Sequence, residues 1–107
     1  MRLPTTEVEP RFKVPRERSA PHLAWLRKLP CCVPGCRWSP VEAHHVREGG
    51  GAMGLKPPDT ACVPVCHYHH AEVHWRGALS WEATHGLDLG ALAGRYAEAS
   101  RVLGILR

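Results

Sequence analysis

Residues 66–74 read Cys66-His67-Tyr68-His69-His70-Ala71-Glu72-Val73-His74, and they hold four of the chain's eight histidines and one of its five cysteines. Read as a helix, the stretch puts His70 and His74 on one face, a turn apart, where two imidazoles can share one metal ion. Cys66 and His69 have the three-residue step of a second ligand pair at the mouth of the same helix. Neither pair closes a coordination sphere alone. The chain offers Cys31, Cys32 and Cys36 to one pair and His44-His45 to the other.

Around this stretch the coarse organisation is readable. Gly77 marks the C-terminal stop of the metal helix, which is expected from about His67 to Arg76. Ala61-Cys62-Val63-Pro64-Val65 before it is rich in β-formers, but Pro64 makes it an edge strand. Val41-Glu42-Ala43-His44-His45-Val46 is a second strand candidate. Regular alternation would point His44 and His45 to opposite faces, so both can serve one site only at a bulge or at the strand's end. Cys31-Cys32-Val33-Pro34-Gly35-Cys36 is a turn that lets two thiolates face one ion, the first half of a zinc knuckle. Its spacing favours Cys32 with Cys36, with Cys31 as the alternative.

Toward the ends, His22 to Leu29 reads as a short helix led by Pro21 and stopped by Pro30, with Leu23, Leu26 and Leu29 facing inward near Trp25. His22 reads as a surface or packing residue. Ser80 to His85 reads as a helical turn capped by Ser80 and closed by Gly86. Asp88 caps a final helix whose apolar stripe is Leu89, Leu92, Tyr96, Ala99 and Leu103. Residues 1–20 carry three spaced prolines and five basic side chains, which suits a mobile basic arm. The domain proper is therefore expected over residues 21–107. The glycine-rich run from Arg47 to Gly54 reads as a flexible link where a DNA backbone can approach; no Walker lysine-hydroxyl pair follows it.

With 107 residues and 44% hydrophobic content, the chain has the size of one domain with a thin core, which a metal staple would help to fold. No apolar run suggests a membrane span or a secretory signal, so thiols beside histidines point to metal rather than disulfides. The net charge of +4 suits a polyanion partner. His67 and His85 read as surface residues, Cys62 as a small buried hydrophobe, and Tyr68 and Trp75 as packing rather than base-stacking residues.

A strand with a His pair, a loop, a strand, and a helix opening on Cys-x-x-His-His-x-x-x-His together resemble the HNH endonuclease family, with its ββα-metal fold. The carrying residues are His44-His45, Val63-Pro64-Val65-Cys66 and His69 to His74, and the resemblance spans roughly residues 22–90. The flanks Leu23-Ala24-Trp25, Leu29-Pro30-Cys31-Cys32 and Gly54 to Asp59 are similar to a narrower group of small phage and prophage HNH proteins. That group includes a recombination-enhancement nuclease that acts with RecA. The resemblance implies an α+β fold: a small ββα-metal core, a structural zinc knuckle and flanking helices. It implies two sites. Cys32 (or Cys31), Cys36, Cys66 and His69 would hold structural zinc. His44, His70 and His74 would hold a catalytic divalent ion (Mg, Mn, Ni or Zn), with His45 as general base. The family's middle Asn is absent from a chain with no Asn, and Asp59 stands about where a replacement would be.

The expected activity is metal-dependent hydrolysis of DNA phosphodiesters, in phage or prophage DNA processing or recombination within a bacterial or phage-infected cytoplasm. A recombinase or phage protein is the expected second partner. Arg16, Arg18, Arg47 and Lys56 are the candidate phosphate contacts. The rival reading is a non-catalytic zinc module that binds DNA or protein.

Overall fold

A computed structural model of the chain describes residues 17–47 and 57–107. Arg16, Lys56, most of the basic arm and the glycine run beyond Arg47 lie outside the described residues. Six elements follow in order: α1 (Ala20–Leu26), β1 (Val41–His45), β2 (Cys62–Cys66), α2 (His67–Arg76), α3 (Ala78–His85) and α4 (Leu89–Val102). The fold is a small α+β unit in which helices cover one two-stranded sheet.

The strands run antiparallel, pairing Val41 with Cys66, His44 with Val63 and His45 with Cys62. All five residues of β2 are buried. Pro64 is tolerated because only one strand flanks β2, and its carbonyl accepts the Cys32 N–H at 2.8 Å. That bond ties the cysteine turn to the sheet. The turn itself follows from Pro34-Gly35: Cys36 N–H reaches Val33 O at 3.0 Å, and Gly35 sits at φ +82°, which a β-carbon would resist.

β2 runs directly into α2, where the Cys66 sulfur caps the helix by accepting the His69 N–H. Gly77 ends α2 as expected and also begins α3. The expected Ser80 cap is corrected: α3 starts at Ala78, with no side chain capping it. Trp81 of α3 is fully buried and closes the core beside Val63, Val65, Val73, Leu89 and Ala93.

The stripe expected on α4 is rotated. Its buried residues are Leu89, Ala93, Ala97 and Ser100, while Leu92 and Tyr96 are half-buried and Leu103 is exposed. Small side chains line the inward face because α4 packs on β2, and near its C-terminal end that face meets α1 at Ser100. There His22 is fully buried, not superficial, and its Nδ1 lies 2.9 Å from the Ser100 hydroxyl. Its Nε2 is buried without a hydrogen-bond partner. Burial, opposed by Asp59 and aided by Arg101, holds the His22 pKa below its ordinary value. No helix among the described residues is long and apolar enough to cross a membrane.

Candidate metal centres and the groove beside them

The thiol cluster forms where the cysteine turn meets the β2–α2 junction. One ligand atom each from Cys31, Cys36, Cys66 and His69 lies within 4.8 Å of the others. The His69 Nδ1 is 3.3 Å from the Cys66 sulfur and 3.4 Å from the Cys31 sulfur. Cys36 and Cys66 sulfurs are 3.9 Å apart. Three sulfurs and one imidazole are the donor set of a structural zinc site, so this cluster could hold a metal ion such as zinc.

Cys31, rather than the favoured Cys32, completes the set. The shift of one residue follows from the turn: Cys31 is buried in the core, while Cys32 is half-buried and pairs its backbone with Pro64. The thiol chemistry agrees. Hydrogen bonding from the Cys32 thiol, helped by nearby N–H groups and His69 against the cost of burial, lowers Cys31 to about 4. The same bond and burial push Cys32 up. Both directions fit a Cys32 thiol donating to the Cys31 sulfur, and thiolate is the form that binds metal. Burial raises Cys36.

A polar brace stands behind His69. Glu72 of α2, almost fully buried, accepts hydrogen bonds from Trp81 Nε1 at 3.0 Å and His85 Nε2 at 2.9 Å. Arg76 adds an ion pair at 3.4 Å. Burial pushes the Glu72 carboxyl up, but His85, Trp81 and Arg76 outweigh it and hold it low. Although His69, Glu72 and His85 also cluster, the carboxylate is already engaged in locking α3 onto α2. His85, expected on the surface, is half-buried for this reason.

The second cluster joins β1 to α2. His44, His70 and His74 bring one ring nitrogen each within 4.8 Å. Ring centroids are 5.1 Å apart for His44–His70, 5.7 Å for His44–His74 and 4.9 Å for His70–His74. The helical step from 70 to 74 and the register of His44 opposite Val63 produce this meeting. Burial, then the charges possible on His70, His74 and His45, depress His44 to about 4, so it is neutral at ordinary pH. A neutral imidazole is the form that ligates.

Glu42 was missed in the sequence, though its signal was present: alternation puts it on the same strand face as His44. Its carboxylate bridges two histidines, accepting from His70 Nδ1 at 2.6 Å and His67 Nδ1 at 3.0 Å. These bonds, His70's first, hold Glu42 below the usual carboxylate range. They also leave the His70 Nε2 lone pair free for a ligand, the usual arrangement behind a metal-bound histidine.

His45, the last residue of β1, faces away from the imidazole cluster. Its Nε2 donates to Asp59 Oδ1 at 2.9 Å. Asp59 is buried, and its other oxygen accepts the Ser19 N–H at 2.8 Å. Even so, His44, His45, Arg47, His74 and Arg76 border one groove of about 1060 Å³. The strand's end permits what alternation forbids in its middle. Arg18 is exposed just ahead of α1. Cys62 is fully buried, as expected.

No solved structure matches the chain. The uncharacterized protein YdfU of Escherichia coli (strain K12) is 28% identical over 99 residues, covering 89% of this chain. Those residues are 27% of that protein, so the chain spans about a quarter of its relative's length. Residues 8–103 match the family described as "protein of unknown function (DUF968)", and on that coverage the chain belongs to it.

Proposed function

We propose that the protein is a metal-dependent endonuclease of the HNH kind, hydrolysing DNA phosphodiesters at the His44–His70–His74 centre. One observation carries the reading: two members of a three-imidazole cluster built by β1 and α2, His44 and His74, border the same groove as His45, a histidine held by a buried carboxylate. A zinc-binding module would use the cysteine cluster and have no need of either feature.

A divalent ion held by three neutral imidazoles would keep positions open and act as a Lewis acid on phosphate charge, worth several kcal/mol. The chain's own residues do the rest. Asp59 fixes the His45 tautomer with the proton on Nε2, so Nδ1 can take a proton from water. General-base help of this kind contributes about 10²- to 10⁴-fold. Asp59 thereby fills the orienting role that the missing Asn serves in HNH enzymes. Arg47 is exposed on the groove, and there it would meet phosphate oxygens.

The test is supercoiled plasmid incubated with zinc-loaded protein across Mg, Mn, Ni and Zn. Wild type should nick in at least one metal, and His45→Ala should nick at least about 100-fold more slowly while staying folded. Nicking that is indifferent to His45, or one zinc per chain with no second ion bound, would overturn the proposal.

A further inference from the structure

We propose that Trp75 is a base-stacking platform that makes the three-histidine centre select DNA with an unpaired, unstacked nucleotide. The inference rests on the nuclease reading and names its substrate class. Sequence periodicity assigned Trp75 to packing, yet its side chain is 67% exposed. The inward residues of α2 are Glu72 and Val73. Trp75 follows His74 directly, and with Glu42, His67, His70, Ala71 and His74 it lines a cleft of about 510 Å³ on the outer side of the imidazole cluster. The indole therefore borders the cluster on one side while the His45 groove opens on the other, with His74 common to both.

An exposed indole beside a basic group favours nucleic acid as the occupant. The Arg76 guanidinium carbon lies 5.5 Å from the Trp75 ring centroid, which adds a cation beside an aromatic face. Tyr68, also exposed, sits two helical turns earlier on the same stripe of α2 with the small Ala71 between. Here the rings stand beside the imidazoles of His67, His70 and His74 and the Arg76 guanidinium, which also pairs with Glu72; exposed aromatic rings of this kind hold single strands because every base has a π-face to offer. In an intact duplex those faces are covered by neighbouring bases, so the indole has nothing to stack on until a nucleotide is unpaired. A base on Trp75 would hang its phosphate toward His70 and His74.

Binding is read by anisotropy of a labelled oligothymidylate and of a duplex of equal length, using the full zinc-loaded chain in a His45→Ala background to prevent cleavage. Adding Trp75→Ala should weaken oligothymidylate binding about 5- to 100-fold, with Trp75→Phe retaining most of it. Duplex binding should change less than about twofold, because phosphate contacts carry it. Unchanged oligothymidylate affinity, or equal losses on both DNAs, would overturn the platform. Plasmid nicking is scored separately on protein with His45 intact. Nicking with a silent Trp75→Ala sinks the platform alone, whereas a Trp75-dependent strand preference without nicking supports the platform and sinks the nuclease.

Discussion

Replacing Cys31 and Cys32 one at a time by serine separates two neighbours of which sequence spacing favours Cys32 and the cluster geometry takes Cys31. Structural zinc contributes about 10–16 kcal/mol in small domains. A chain of this length has a total stability of about 5–15 kcal/mol. Loss of the ion therefore removes as much as the whole fold has. Cys31→Ser takes one of three sulfurs from a cluster whose members lie within 4.8 Å and leaves a hydroxyl that does not ionise. We expect zinc content well below one per chain and no cooperative thermal transition. Cys32→Ser is different. The backbone bond from residue 32 to Pro64 survives, and a serine hydroxyl can still donate to the Cys31 sulfur as the Cys32 thiol does. The cost should be about 1 kcal/mol or less, a fall in Tm of under about 8 °C. The assay is zinc released on denaturation, measured with a chromophoric chelator, beside melts followed by circular dichroism. Zinc retained by Cys31→Ser, or lost from Cys32→Ser, would refute the assignment.

Two further outcomes follow from the geometry. Glu42→Gln should weaken metal binding at the three-histidine centre about 10- to 100-fold, since an uncharged amide orients His70 less firmly. Calorimetric titration of zinc-loaded protein with Mn or Ni reads this, and the tightly held zinc should be unaffected. The second concerns pH. His22 is held neutral in the fold below its ordinary value of 6.5, so below that pH the unfolded chain takes up a proton that the folded chain refuses. Its contribution leaves stability untouched above pH 6.5 and erodes it as the pH falls toward the depressed folded value. Urea midpoints of wild type should therefore drop more steeply between about pH 6.5 and 5.5 than those of His22→Gln; parallel slopes would show that His22 is not the group.

The parts of the fold that were legible in sequence are those where local chemistry and tertiary packing agree. α2 spans His67–Arg76 as expected because a cap, a helical ligand spacing and a terminal glycine all act within the element itself. α4 misled because hydropathy follows its leucines and tyrosine, whereas the sheet and α1 select alanines and a serine for close approach. Ser80 failed as a cap because Gly77 already opens the chain for the next helix. The three-histidine cluster was legible in full. Spacing favoured Cys32 where the cluster takes Cys31, since which thiol turns inward depends on the Val33–Cys36 turn and on the backbone bond to Pro64. Glu42 needed only the two-residue period already applied to His44. Glu72 lay hidden as one more helical acid, because its partners Trp81 and His85 come from the next helix.

The two clusters are unequal in what they depend on, and the reason lies in adjacent residues of one helix. His69 and His70 are successive, so their side chains leave α2 about 100° apart, one toward the cysteine turn and one toward β1. Two of the four thiol-cluster ligands, Cys31 and Cys36, lie in the turn that the Cys32–Pro64 backbone bond ties to the sheet, and the other two, Cys66 and His69, lie at the start of α2. The imidazole cluster instead draws His44 from a strand whose position is already set by five paired residues. Its fourth element, the Glu42 bridge, is on that strand too. An ion among the thiols would pin the cysteine turn to the start of α2, the helix that also presents His70 and His74 to His44. An ion among the imidazoles adds little to a helix and strand already in register. That difference suits the proposed reaction, whose centre would have to admit and release phosphate while the frame around it stays still.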